Sequence, residues 1–247
     1  MKILFVASGK SFHATRWANA LSDLGCEIYF YSIGEITRPL SPKIKVITFG
    51  RSYKKLNYFL AVPHLRRVIK SISPDILHAH YSSGNGILAS LARAFVDKPF
   101  IISLYGTDVF EFPRKSIFHK YVLYYVTRSA TKVLSTSHAM AREYGAIYPR
   151  LKPAVITEFG VNLTKFFPVN DLEHNSVFHV GIVKKLEHKY GIDILIHAAK
   201  EIIKLGHTNI KFTIVGGGTE EKRLRELTIR LGLIEFIEFK GWIENDQ

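Results

Sequence analysis

Short, almost uninterrupted apolar runs, each followed by a polar loop and an amphipathic stretch, recur along this chain from its second residue. The first, "KILFVAS", is the kind of run that fits a strand buried on both faces of a parallel sheet. "SFHATRWANALSDLG" follows, with Ala14, Trp17, Ala18, Leu21 and Leu24 at helical spacing. The same alternation predicts strands at "CEIYFYS", "KVITFG", "DILHAH", "PFIISLYG", "KVLSTS" and "AVITEFG". Between them it predicts helices over 55–72, at "GILASLARAFV", at "SIFHKYVLYYVTRSA" and at "HAMAREY". Strands and helices alternating through short connections specify a doubly wound α/β sheet, whose ligands bind outside the carboxyl ends of the strands.

The pattern restarts after a polar stretch at 161–175, which suits a linker. "SVFHVGIV", with a strand ending at Gly181, leads into a helix over 190–205. "IKFTIVG", a helix over 219–231 and "IEFIEFKG" complete the series. Two Rossmann-like parallel-sheet domains are therefore expected, at 1–165 and 166–247. The second counts about three strands and two helices and reads as incomplete, so the sequence is expected to be part of a longer protein.

Composition narrows the partners. The formal charge is +13 and unevenly spread: residues 36–74 hold nine Lys/Arg and residues 112–142 hold six, with no acid in either tract. One-signed surface of this kind attracts nucleic acid, anionic lipid or anionic small molecules, and charge alone does not choose among them. Cys26 is the only cysteine, which excludes an internal disulfide and a cysteine-built zinc site and fits a reducing compartment. No window approaches the roughly 18 apolar residues of a membrane span.

Several strand-end loops carry candidate chemistry. In "SGKSFHA", Gly9 allows a tight turn and Ser11 can cap the next helix, with Lys10 and His13 nearby. That loop is neither a dinucleotide fingerprint nor a P-loop. "LHAHYSSGNG" sets His78 and His80 on one side of a strand end. Two alternating histidines can bind metal, but no third ligand is suitably spaced. His80 is the better placed for hydrogen bonding or proton handling. In "SLYGTD", Asp108 can orient a sugar hydroxyl or a leaving group, or simply cap a short helix. The glycines of "IVGGG", Gly216 and Gly217 among them, permit backbone to approach a flat or anionic ligand. Lys184, Lys185, His188 and Lys189 crowd the start of a helix, where positive charge opposes the dipole, so they need solvent or a bound anion.

Six segments in order give a resemblance. "PDILHAH" (74–80) is similar to a Pro-Asp-x-x-His-x-His strand, and "YGTD" (105–108) to a His-Gly-x-Asp loop. "VITEFGVNLTKFFP" (155–168) resembles a segment usually reading Ile-Pro-Asn-Gly-Val-Asp-x-x-x-Phe-x-Pro. "VGIVKKLEHKYGIDILI" resembles a donor-phosphate loop, and "IVGGG" and "EFKGWI" complete the order. Together they resemble the retaining GT-B glycosyltransferases of glycosyltransferase family 4. The resemblance implies transfer of a sugar from a UDP-, GDP- or ADP-linked donor to a polysaccharide or lipid-linked acceptor, without a required metal or other cofactor.

By resemblance, Lys185 (or Lys184 in a shifted register) and Lys189 contact the donor diphosphate, with Tyr190 an extra residue between motif positions. Gly9 stands beside the phosphates from the first domain. Tyr105 replaces the motif histidine that supports the transferred sugar, and Glu158-Phe159 replace Pro-Asn. The family's Glu-x7-Glu segment, which holds the donor ribose and sugar, is not in this sequence. The expected catalytic set is Asp108, Tyr105 and His80. Tyr53, Leu56, Tyr58, Phe59, Leu60 and Val62, interleaved with Arg51, Lys54 and Lys55, suit peripheral attachment to an anionic membrane or an ordinary solvated basic face. The expected location is the cytoplasm, at the inner face of the membrane if attached. A binding module for anionic glycans or lipids, left from an inactive transferase, is the alternative. Nucleic-acid binding rests on charge alone.

Overall fold

The computed structural model describes residues 1–50, 55–94, 96–164, 166–167 and 177–243, with the side chains at 55 and 56 outside that description. The expected interleaving at Arg51, Tyr53, Lys54, Lys55 and Leu56 thus lies outside it, as does most of the expected linker. The described residues form two units, Met1–Asn162 and Leu163–Gln247.

In the first unit, β1 (Lys2–Val6), β2 (Glu27–Ile33), β3 (Lys45–Phe49), β4 (Ile76–His80), β5 (Phe100–Leu104), β6 (Lys132–Ser135) and β7 (Val155–Ile156) make one parallel sheet. The strand order is β3-β2-β1-β4-β5-β6-β7. The order reverses between β1 and β4, and such a switch point opens a crevice at the carboxyl edge. The helices are α1 (Phe12–Asp23), α2 (Lys55–Ile72), α3 (Ile87–Arg93), α4 (Gly106–Phe110), α5 (Ile117–Ser129) and α6 (His138–Ile147). Ser11, Ser116 and Ser137 cap α1, α5 and α6 by accepting from the backbone N–H three residues on.

The continuous apolar runs have the predicted cause. Ile3, Phe5 and Ala7 pack with Ala14 and Ala18 of α1 on one face, while Leu4 and Val6 pack with Leu65, Ile69 and Leu88 on the other. Alternate residues of one strand thus feed two cores, and no position can be polar without loss.

In the second unit, β8 (Phe178–Val183), β9 (Ile210–Val215) and β10 (Ile237–Gly241) are parallel in the order β10-β9-β8. The first of these runs two residues beyond the expected end at Gly181, because Ile182 and Val183 stay in register with Ile214 and Val215. The two crossovers, α7 (Ile192–Lys204) and α8 (Glu221–Arg230), step the same way along the sheet. Right-handed crossovers that step the same way cover the same face. Accordingly Ile192, Ile196, Leu224 and Leu227 pack with Phe212, Ile214 and Ile237. The opposite face presents His179, Lys211 and Glu238.

Candidate functional site

In the first unit, the expected catalytic residues converge on the switch point. Asp108 lies at the third position of α4 and is 1% exposed. Its Oδ1 accepts from the Ser82 N–H at 3.1 Å and the Ser82 hydroxyl at 2.8 Å, and its Oδ2 accepts from the Tyr105 N–H at 3.1 Å. Asp108 therefore caps α4, one of its two expected roles, and it also fastens the turn after β4 to the loop after β5. That turn is strained, since Tyr81 has φ 69° and ψ 131°. The Asn85 side chain donates to the His80 carbonyl and the Gly86 N–H to the Tyr81 carbonyl, which holds the turn closed.

Burial pushes the Asp108 carboxyl up to about 6, against the pull of its donors. Its proton is thus held more tightly in the folded chain than in the unfolded one. Stability from this group is greatest at low pH and falls as pH rises through about 4 to 6. The expected result is that the stability advantage of wild type over Asp108→Asn shrinks by about 2 kcal/mol between pH 4 and pH 7. Urea unfolding of both proteins at the two pH values checks this, and a pH-independent difference contradicts it.

His80 is fully buried, with Nδ1 2.6 Å from the Tyr105 hydroxyl, and its Nε2 has no hydrogen-bond partner. Burial, helped by His78 and His13, holds its pKa well below the usual imidazole range, so the ring is neutral at physiological pH. His78 pairs with the Ser103 hydroxyl at 2.8 Å, and burial lowers it to about 3. The two histidines do share one side of β4, their rings 4.4 Å apart. Among the described residues no group of three His, Cys, Asp or Glu is arranged to hold a metal.

Tyr105 is 5% exposed, its hydroxyl turned inward to His80. Its ring belongs to a stack: His13 lies 4.0 Å from Phe159 and 5.6 Å from Tyr105, nearly parallel to both. Arg16 donates to the Gly160 carbonyl beside it, tying the segment after β7 to α1. The two departures from the family motifs, at Tyr105 and Phe159, are thus spatial neighbours joined through His13. Sequence reasoning noted each one separately. Their pairing had no local signal, because they stand 54 positions apart in the chain. Gly9 is buried here. Its N–H donates to the Ser32 hydroxyl, its carbonyl accepts from Thr37 and Arg38, and a Cβ on it would sit 2.5 Å from Ile36. Its glycine identity is accounted for by that packing, and its amide is engaged by the Ser32 hydroxyl.

In the second unit, the loop after β8 is exposed and concave. Lys185, Glu187, His188, Lys189 and Tyr190 line a cavity of about 470 Å³. Leu186, fully buried, anchors the loop in the core. The Lys184 and Lys189 ammonium groups sit 4.7 and 5.5 Å from the centre of the Tyr190 ring, so the extra residue gathers two cations. Of the acids in the region, Glu187 on the cavity wall accepts from the Thr219 hydroxyl, and Asp193 accepts from Arg223. Gly216 and Gly218 sit where two loops pack closely. A Cβ on Gly216 would lie 1.9 Å from the Lys184 carbonyl oxygen, and one on Gly218 2.3 Å from that of Leu186. These glycines let the lysine loop itself lie against the loop after β9. Gly217 between them meets nothing closer than 3.8 Å and stays accessible to a ligand.

A family model described as Glycosyl transferase 4-like matches residues 2–137, more than half of the chain. The chain belongs to the glycosyl transferase 4-like family. A second model, Glycosyl transferases group 1, matches residues 169–247. An uncharacterized glycosyltransferase of Methanocaldococcus jannaschii is 24% identical over 240 residues, 96% of this chain and 64% of that protein. The chain thus spans about two-thirds of the length of that relative. Among solved structures, sucrose-phosphate synthase from Thermosynechococcus elongatus superposes with a TM-score of 0.72 at 16% identity, over 99% of this chain and 71% of that one. The lipopolysaccharide outer core galactosyltransferase WaaB gives 0.67 at 16%, over 100% and 69%. These likenesses place this glycosyl transferase 4-like chain in the GT-B fold class.

Proposed function

We propose that this chain carries the acceptor-side unit and the donor-phosphate loop of a retaining glycosyltransferase. Its donor is a UDP-, GDP- or ADP-linked hexose, and its acceptor is a growing polysaccharide or a lipid-linked glycan. The observation that carries the reading is the lysine-lined cavity after β8, on a loop whose course is set by Gly216 and Gly218. As the bond from the anomeric carbon to the diphosphate breaks, its electron pair stays on the leaving phosphate oxygen. Lys185 and Lys189 stabilise that charge. The acceptor hydroxyl attacks the anomeric carbon from the face the diphosphate leaves, and its proton departs with the diphosphate. Asp108, Ser82 and the His80–Tyr105 pair hold the strand-end loops in place, and the His13–Phe159 stack offers an aromatic wall. The likeness to a trehalose-6-phosphate structure bound with UDP-2-fluoro glucose supports a nucleotide sugar as the donor class.

The test is calorimetric titration of the protein with UDP, GDP and ADP. Saturable binding of at least one is expected, and no binding of any contradicts the reading. The burial of Asp108, Tyr105 and His80 favours a second reading, a glycan- or lipid-binding module without transfer. It predicts nucleotide-independent glycan binding and no release of nucleoside diphosphate when donor and acceptor are mixed.

A further inference from the structure

The first unit carries an exposed apolar face far larger than solubility explains, and it lies within an acid-free part of the chain. On α5, Leu123, Val126 and Thr127 turn inward, while Ile117, Tyr121 and Tyr125 form an outward stripe at spacing i, i+4, i+8. Ile117 is 83% exposed, Phe118 68% and Tyr121 62%. Phe59 and Leu60 of α2 are likewise exposed. Between the two helices opens a groove of about 330 Å³, with Tyr58, Phe59, Ile87, Leu88, Phe118 and Val122 among its walls. Single exposed apolar residues are ordinary, but a contiguous cluster around an apolar groove marks a surface that meets something.

Charge selects the partner. Lys115, Lys120 and Arg128 are exposed around the stripe, and residues 112–142 contain no acid. Arg114 pairs with Glu143 at 2.8 Å, and Arg128 donates to the Tyr124 hydroxyl. A second copy docking through the same face would bring like charges together, which a two-fold interface cannot avoid. An anionic bilayer satisfies both features, because aliphatic and aromatic side chains enter the interfacial layer while lysines stay at the phosphates. Among the described residues no helix is long and apolar enough to cross a membrane, so the contact is with one surface.

We propose that the α2–α5 face docks on an anionic membrane. Ile117, Phe118 and Tyr121 insert below the headgroups, Lys115 and Lys120 meet lipid phosphates, and the groove seats one acyl chain. This surface uses residues of the first unit and none of the lysine loop, and the docking holds whether or not the chain transfers a sugar.

Flotation with vesicles of mixed phosphatidylglycerol and phosphatidylcholine tests it. Wild type is expected to float with the mixed vesicles and to stay behind with phosphatidylcholine alone. Phe118→Ser and Lys115→Glu/Lys120→Glu should each weaken partition about tenfold or more. Lys185→Ala/Lys189→Ala should leave it unchanged. Phe118→Trp should be quenched by lipids brominated along the acyl chain. Ile117→Ser and Tyr121→Ser serve if Phe118→Ser fails to fold, as judged by its thermal melt. Absence of wild-type flotation, or flotation unchanged in the folded serine variants, overturns the proposal. So does a Phe118-dependent dimer, or a Phe118-dependent complex with single-stranded oligonucleotide, found without vesicle binding.

Discussion

Gly216→Ala is expected to lower the melting temperature of the 163–247 unit by more than about 10 °C. Two costs combine. Gly216 has φ +136°, a conformation that an L side chain rarely adopts, and holding one there costs about 1–3 kcal/mol. The added Cβ would also fall 1.9 Å from the Lys184 carbonyl oxygen, so backbone must move, at about another 1–3 kcal/mol. In a unit of this size each kcal/mol shifts the midpoint by about 4–8 °C. The hydrogen bonds from Lys184 to Val215, from Leu186 to Gly217 and from Gly216 to Gly241 surround the point of collision, so the lysine loop should loosen with it. Scanning calorimetry reads the midpoint, and hydrogen exchange at 184–190 reads the loop. Gly217→Ala is the control, because its Cβ would make only ordinary contacts, the nearest at 3.8 Å, and φ there is outside the left-handed region. If both variants melted alike, the close approach of the two loops would be wrong.

Lys185→Ala and Lys189→Ala are each expected to weaken binding of nucleoside diphosphates about tenfold or more, with little change in melting temperature. A charge-assisted hydrogen bond to phosphate contributes about 1.5–3 kcal/mol. Both residues are exposed on the cavity wall and contribute nothing to the core, so their removal should leave the fold intact. The affinity should also fall with rising salt, since the cavity is open to solvent and its charges are screened. Titration of UDP, GDP and ADP into wild type and both variants gives the comparison. Wild-type affinity retained by both would remove the lysines from the donor site, whatever the fate of the transfer reading.

The two predictions differ in how much of each was legible in the chain. The lysines were visible as charges crowding a helix start, an observation local enough to read from about ten residues. The direction in which Gly216 acts was not. Three glycines after a strand are compatible with a ligand or with another loop, and only the position of the Lys184 carbonyl reveals the close approach of the loop. Asp108 shows the same division. Its place near a helix start was evident, whereas its two bonds to Ser82 join positions 26 residues apart. His80 was expected as a hydrogen-bonding or proton-handling group; its partner, the Tyr105 hydroxyl 25 positions away, and its complete burial needed the packed strand ends.

By itself the sequence determined the strands, the helices, the two-unit α/β plan and the acid-free basic tracts. Those follow from periodicity and composition, which act over a few residues at a time. The tertiary structure alone decided which side chains meet: Tyr105 with His80, His13 with Phe159, the Lys184 carbonyl with Gly216, and Phe59 across a groove from Phe118. The reason is geometric. Strand-end loops far apart in the chain become neighbours only once the order of the strands in each sheet is set. That order is a property of the whole packed core, carried by no single segment.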